Sequence, residues 1–319
     1  MTMDISYTTE EIAKLLKISK LTVYDLIKKG DLAAYRVGKQ MRVDASDLEA
    51  YKNRAKGDRV YMSMDKAGRS EAADRQQPLT ASFAQQSLVI TGQDISLDIL
   101  AKHIERHIPR CRPLRAYVGS LDSLISMYKG ESDIVSTHLL DGDTGTYNLP
   151  YIRRLLTGFS YIVINLLSRS AGLYVQQGNP HSLRGWADLI KPGIRMVNRE
   201  KGSGARVLLD EQLRLHGVSA KLIEGYGQEE SNHLGVAGKV ATGEADFGVG
   251  IERASHMVGG VEFIPLIQEQ YDLVMIKKPE NAAWIEQVKR ILQSDSFRKE
   301  LAPIQGYDLS QTGRILFEA

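Results

Sequence analysis

The sequence predicts an α/β protein in two parts: a small helix-and-hairpin module over residues 1–56, and a larger unit of alternating strands and helices over residues 86–319. Three observations carry that expectation. Two short helices and a hairpin can be read in the first 56 residues. A polar, weakly patterned stretch follows over 57–85 and reads as a mostly extended linker. Apolar runs of strand length then alternate with helix-period segments to the end of the chain. A length of 319 residues allows two or three compact units.

Composition narrows the class. Apolar residues make up 43% and charged residues 25%, the balance of a globular protein that folds in water. No apolar run reaches the roughly 18 residues of a membrane span. Met1-Thr2-Met3-Asp4 has neither the basic nor the apolar region of a secretory signal, so a cytoplasmic location is expected. Cys111 is the single cysteine, which excludes an intrachain disulfide and a Cys-rich zinc site and fits a reducing compartment. Residues 1–56 hold 11 Lys/Arg against 8 Asp/Glu, a balance of +3, while the rest holds 30 against 31, a balance of −1. The basic excess therefore sits in the short N-terminal part, where a phosphate-contacting surface would put it.

Within that part, Thr8-Thr9-Glu10-Glu11 has the spacing of a capping box, with Thr8 at N-cap and Glu11 at N3. Ile12, Leu15 and Leu16 continue at helical spacing. Ser19 is placed to cap a second helix with Val23, Leu26 and Ile27 on its inner face, and Gly30 to end it. Two short helices joined by a short turn follow the helix-turn-helix plan. Residues 33–37 and 40–43 are strand-like and flank Gly38-Lys39, a tight hairpin sequence. A third helix is expected from Asp44, burying Leu48 and Tyr51. The run from Tyr7 to Tyr51 resembles the excisionase-type winged helix-turn-helix family. That resemblance implies a second helix entering the major groove of double-stranded DNA, with Lys20, Thr22, Tyr24 and Lys28 facing it. It also implies wing contacts from Arg36, Lys39 and Arg42.

From Ser87 the elements are, in order, a strand over 87–92, a helix over 94–108 and a strand over 114–120. A helix over 121–130 and a strand over 131–141 follow. Such alternation implies largely parallel sheets, whose ligands sit at the carboxyl ends of the strands. Thr91 through Asp94, Gly119-Ser120 and His138 occupy those positions. A further strand ends near Val197 and runs through Asn198-Arg199 to Gly202-Ser203-Gly204, with a helix from about Ala205. Glycines let backbone N–H groups approach an anion, the helix dipole favours negative charge, and Arg199 and Arg206 add cationic donors. The Gly-Lys-Ser/Thr ending of a nucleotide-binding P-loop is absent. Glu230-Ser231-Asn232-His233 opens a helix expected over 229–242, where Ser231 is either an anion donor or only the cap.

These segments resemble the type II periplasmic-binding-protein superfamily, most closely its cytoplasmic branch related to molybdate- and tungstate-binding proteins. The residues that carry the resemblance include 119–141, 168–180, 193–210 and 241–252. It implies two lobes closing on a ligand, with the chain crossing between them near Ile164 and Phe263. One lobe would be about 86–164 plus 264–319, the other about 165–263. Related proteins hold a tetrahedral oxyanion by hydroxyls and N–H groups, roles that Thr91, Ser120, Ser203 and Ser231 would take here, with Arg199 as a charged donor. Tungstate binders of the superfamily carry an arginine in an S-R-x-x-x-S-G setting, where this chain has Asn198-Arg199.

His138, Asp141, Tyr147 and Asn148 form a polar cluster that a bare oxyanion does not require; it braces a hinge or recognises a larger ligand. His103 and His107 stand one helical turn apart without a third metal ligand and read as a solvated face. No catalytic set has convincing spacing, so no enzyme, metal or cofactor is expected. The functional expectation is a cytoplasmic transcription regulator that senses a small anion, molybdate or tungstate first, as a homodimer or higher homo-oligomer and without membrane attachment. The alternatives are a sensor of a pterin or organic acid, or a non-regulatory accessory protein of molybdopterin metabolism.

Overall fold

The computed structural model describes residues 6–16, 18–28, 32–37, 40–56 and 86–319. Gly30, the Gly38-Lys39 turn and the 57–85 stretch, with the short helix expected around 69–75, lie outside the described residues. The chain divides into two units, Met1–Leu79 and Thr80–Ala319.

The N-terminal unit runs β1 (Ser6–Thr8), α1 (Thr9–Leu16), α2 (Lys20–Lys28), β2 (Tyr35–Val37), β3 (Gln40–Asp44) and α3 (Ala45–Lys56). The capping box forms as its spacing predicts: Glu11 accepts from the Thr8 amide at 2.8 Å, and Thr8 Oγ1 accepts from the Glu11 amide at 3.3 Å. Ser19 Oγ caps α2 by accepting from the Thr22 amide at 3.1 Å. Ile12, Val23, Leu32, Val43 and Leu48 are buried together, so all three helices and the hairpin share one small core. Two details differ from expectation. Ser6–Thr8 adds a third strand, antiparallel to β3, giving the order β1-β3-β2. Asp44 ends β3 rather than opening α3, and Tyr35 donates to its carboxylate at 2.8 Å.

In the C-terminal unit the first lobe begins with β4 (Gln86–Thr91), α4 (Ser96–His107), β5 (Cys111–Ala116), α5 (Ser120–Tyr128) and β6 (Ile134–Thr137). A two-stranded hairpin, β7 (Leu140–Asp141) and β8 (Thr146–Tyr147), precedes α6 (Leu149–Leu155) and the 16-residue strand β9 (Tyr161–Gln176). The second lobe holds β10 (Met196–Arg199), α7 (Gly204–Leu215), β11 (Glu229–Glu230), α8 (His233–Ala241), β12 (Phe247–Ile251) and α9 (Glu252–His256). A second 16-residue strand, β13 (Val261–Ile276), returns to the first lobe. There α10 (Ala282–Gln293), α11 (Asp295–Leu301), β14 (Tyr307–Asp308) and β15 (Ile315–Glu318) complete the chain.

One sheet passes through both lobes in the order β11-β10-β12-β9-β13-β6-β4-β5, with β14 and β15 also pairing with β9. Its two ends are parallel: β4 with β5 and β6, and β10 with β11 and β12. The antiparallel pair β9/β13 joins them. In the first lobe Ile162, Ile164 and Leu273 bury against α4 and α10. In the second, Leu173 and Val175 bury against α7. The change from one core to the other falls at Ser168–Ser170 on β9 and Gln268–Gln270 on β13, where Arg169 and Glu269 are register partners. The crossings therefore lie a few residues beyond Ile164 and Phe263, which are packed inside the first and second lobe respectively. Register shifts on β13 flank this point, between Pro265 and Ile267 and between Tyr271 and Asp272. The β7–β8 hairpin reaches across to the second lobe, where Glu211 accepts from the Gly142 amide at 2.8 Å.

Candidate ligand cleft and DNA-binding face

Six parallel strands end on one cleft. From the first lobe, β4, β5 and β6 lead into Gly92–Asp94, Gly119–Ser120 and His138. From the second, β10, β11 and β12 lead into Ser203–Gly204, Asn232–His233 and Arg253. These residues, with Arg169 and Tyr271 from the crossing strands, line a cavity of about 260 Å³. This is the carboxyl-end location at which open α/β sheets bind ligands.

A buried ion network forms the floor. Arg169 Nε donates to Glu269 Oε1 at 2.6 Å, its Nη1 pairs with Asp94, and its guanidinium lies 4.4 Å from the centre of the Tyr271 ring. His138 Nδ1 lies 3.0 Å from the other Glu269 oxygen, and Tyr307 donates to Asp94 at 2.5 Å. Burial opposes ionisation of both carboxylates, but their neighbours win. His138 and Arg169 hold Glu269 at about 2, and Arg169 with donors from Ser96 and Tyr307 keeps Asp94 below its usual range. The same carboxylates hold Arg169 charged despite its burial. Its Nη2 has no protein partner among the described residues.

The second lobe supplies the wall. Arg199 is 2% exposed; its Nη2 donates to Glu200 at 2.7 Å, to Ser231 O at 3.1 Å and across the cleft to Gln93 Oε1 at 2.6 Å. Its Nε donates to Glu200 at 2.8 Å, and Nη1 has no partner among the described residues. Ser203 caps α7, accepting from the Arg206 amide at 3.3 Å and donating to Glu200 O at 2.9 Å. The Gly204 and Ala205 amides at that helix start have no protein acceptor among the described residues. Asn232, not Ser231, caps α8, accepting from the Gly235 amide at 2.8 Å. His233 presents a buried Nδ1 without a partner among the described residues. Burial first, then the charges of Arg199, Arg169 and His138, lower its pKa well below the ordinary value, so the ring is neutral.

The lobes stand closed over this cavity. The Leu121 amide, at the start of α5, donates across to Gly202 O at 3.0 Å. A Cβ at Gly119 would sit 3.0 Å from that same carbonyl oxygen, and one at Gly204 would overlap the His138 ring. Glycine at these two positions is what permits the close approach.

Of the residues predicted from sequence, Gly119, Ser120, His138, Arg199, Ser203, Gly204 and His233 come together on the cavity wall. Five do not. Thr91 is buried behind the wall with Oγ1 unpartnered among the described residues. Asn198 bonds the Arg199 amide at 2.9 Å and Tyr226 O at 3.1 Å. The Gly202 carbonyl is taken by the Leu121 amide. Arg206 points away, stacked 4.2 Å from the Tyr226 ring centre and donating to Glu229 at 3.2 Å. Ser231 lines a separate depression with Glu200. Asp141 accepts from Thr144 at 2.7 Å, and Asn148 sits in the hinge. His103 is buried against Phe297 at a ring separation of 5.3 Å, not on a solvated face. Sequence reading missed Arg169, Glu269, Tyr271 and Arg253. A signal existed for three of them. Arg169 and Glu269 are charges inside long apolar strands, and Arg253 follows the end of a parallel strand.

On the N-terminal unit, Tyr24 is 42% exposed on α2 and Arg36 is exposed on β2. Lys20 on α2 pairs with Glu10. Thr22 Oγ1 shares a hydrogen bond with Ser19 Oγ at 2.8 Å. Arg42 donates to Ser6 Oγ at 3.1 Å. Lys39 lies outside the described residues, as does the side chain of Lys28.

Residues 6–56 match a helix-turn-helix domain family, and residues 101–293 match the PBP superfamily domain. The chain belongs to the PBP superfamily. It is 51% identical to YvgK of Bacillus subtilis (strain 168) over 313 residues, 98% of each chain. Among solved structures it resembles an H2O2-bound mutant of Corynebacterium glutamicum OxyR, with 13% identity and a TM-score of 0.51, covering 93% of this chain and 89% of that one. It also resembles a phosphate-bound putative phosphate transporter binding protein from Clostridium perfringens, with 15% identity and a TM-score of 0.51, covering 68% and 97%. These likenesses are of fold. They bear out the two-part architecture and the type II binding-protein lobes read from the sequence. Among the described residues, no helix is long and apolar enough to cross a membrane.

Proposed function

We propose that this protein is a cytoplasmic, non-enzymatic transcription regulator that closes two lobes on a small anion and reads double-stranded DNA through its helix-turn-helix. The observation that carries the reading is the cleft itself. Arg169, Arg199 and Gly204, the residue that opens α7, line one cavity in a chain that also holds a helix-turn-helix domain. One such module offers few base contacts, so useful operator affinity calls for a homodimer on a two-fold site.

Molybdate and tungstate are the first anions to test, on the strength of the sequence resemblance. A larger organic anion is the second reading. It is favoured by the Ser203 hydroxyl, already engaged within the protein on both its donor and acceptor sides.

Calorimetric titration of the full chain with molybdate, tungstate, sulfate and phosphate tests the oxyanion reading. Micromolar binding of molybdate or tungstate, with sulfate and phosphate silent, is the expected result for that effector. Silence from all four removes it. Selection of duplexes from a random pool by the full chain tests the DNA reading, and failure to enrich any sequence would count against it.

A further inference from the structure

We infer that the cleft is shaped for a small organic dianion, with one acidic group at the start of α7 beside Arg199 and the second on Arg253. The inference rests on the anion-sensing reading above and names the chemistry of its ligand.

Arg253 is the unmatched charge. It is half-buried on the cavity wall, and no hydrogen bond or ion pair engages its side chain among the described residues. The other cavity arginines are matched by carboxylates: Arg169 by Asp94 and Glu269, Arg199 by Glu200. A guanidinium withdrawn from water is ordinarily paired, and a carboxylate or phosphate meets its fork with two bonds.

Sheet order places the two anchoring positions side by side. β11, β10 and β12 are consecutive parallel neighbours, and they lead to His233, Gly204 and Arg253 respectively. Arg253 therefore follows the strand next to the one that leads into the start of α7. A short dicarboxylate, or a phosphorylated hydroxy acid, can place one acidic group at each position.

The rest of the cavity agrees. Ile95, Leu234 and Met257 line it while 37%, 43% and 59% exposed, an apolar surface with nothing to offer a bare oxyanion but a place for a carbon stem. A volume of about 260 Å³ is far above the roughly 30 Å³ share of one water and close to the roughly 300 Å³ at which organic-ligand sites begin.

The test is calorimetry on the full chain with succinate, glutarate, adipate and 3-phosphoglycerate, against butyrate as a monoanion and molybdate, tungstate and sulfate as bare oxyanions. At least one organic dianion is expected to bind tenfold or more tighter than butyrate and than every oxyanion. Arg253→Ala is expected to erase that preference, and Arg253→Lys to restore part of it. An oxyanion that outcompetes every organic dianion, or a dianion whose affinity survives Arg253→Ala, overturns the inference and leaves the anion sensor standing. Silence from every anion overturns both.

Discussion

Arg169 shows how much of this site depends on one side chain. It lies in register with Glu269 across the pair of strands that joins the lobes, and it pairs with Glu269 and Asp94 together. Arg169→Met would leave two buried carboxylates without the cation they share. We expect it to destabilise the C-terminal unit by about 3–5 kcal/mol, read by urea unfolding; a loss under about 1 kcal/mol would show that the network is not holding the hinge. Acid should attack the same place. Glu269 is held at about 2 against an ordinary 4.5, so its contribution is complete above pH 4.5 and lost as pH falls toward 2. Glu269→Gln should therefore flatten stability against pH across that window, as measured by thermal melts at stepped pH. At this scale the sequence was only partly legible. Residue types and spacing singled out Arg199, His138 and Gly204, which the fold brings together. The same reasoning selected Arg206, which sits in the first turn of α7 but turns to Tyr226 and Glu229. Spacing says which residues share an element, whereas packing decides which way each side chain turns.

At the scale of elements, the alternation of apolar runs was enough to find most of the parallel strands and their helices, and the capping box at Thr8 and Glu11 formed as its chemistry requires. The helix expected over 229–242 instead begins at His233, because Glu229–Glu230 pairs with β10 as β11. Two further features escaped. β1 has three residues, too few for a period. β9 and β13 are each one unbroken strand of 16 residues, so no turn signal marks where the lobes change. The hinge is instead defined by hydrogen bonds. Asn148 Nδ2 donates to Asp272 at 2.7 Å, Asn165 Nδ2 donates to it at 2.9 Å, and Asn148 Oδ1 accepts from the Leu139 amide at 2.7 Å. Burial outweighs these two donors and pushes Asp272 up to about 6, so its ionisation costs the fold stability as pH rises from 3.8 through 6. Asn148→Ala removes a donor that limits that cost and places alanine at a φ of 64°. We expect a loss of about 2 kcal/mol or more at pH 7 and a smaller one at pH 4, measured by urea unfolding at both. Equal losses at the two pH values would separate Asp272 from the effect.

For the molecule as a whole, the two parts of the chain were readable from the sequence because their compositions and periods differ, and the family matches bear them out. Lobe closure was implied by the family resemblance, but the part that glycines play in it was not readable, since their neighbours lie far away in sequence. Gly204 meets His138 from the opposite lobe, with no room for a Cβ between them. Gly204→Ala should hold the lobes apart with little effect on the unfolding midpoint, because opening relieves the clash. Affinity for the cleft's anion should fall tenfold or more, and small-angle scattering should show a larger radius. Unchanged affinity would mean that closure is not part of binding.

Regulation requires that ligand and DNA affinities be coupled, and couplings of this kind run from about 5-fold to 150-fold. The direct measurement is fluorescence anisotropy of the full chain on a selected duplex at fixed salt, with and without a saturating amount of each anion titrated above. Coupling of this kind predicts that an anion bound in the cleft shifts DNA affinity by about fivefold or more in either direction, and that Arg199→Ala abolishes the shift. An anion that binds the cleft by calorimetry yet leaves DNA affinity unchanged would contradict it.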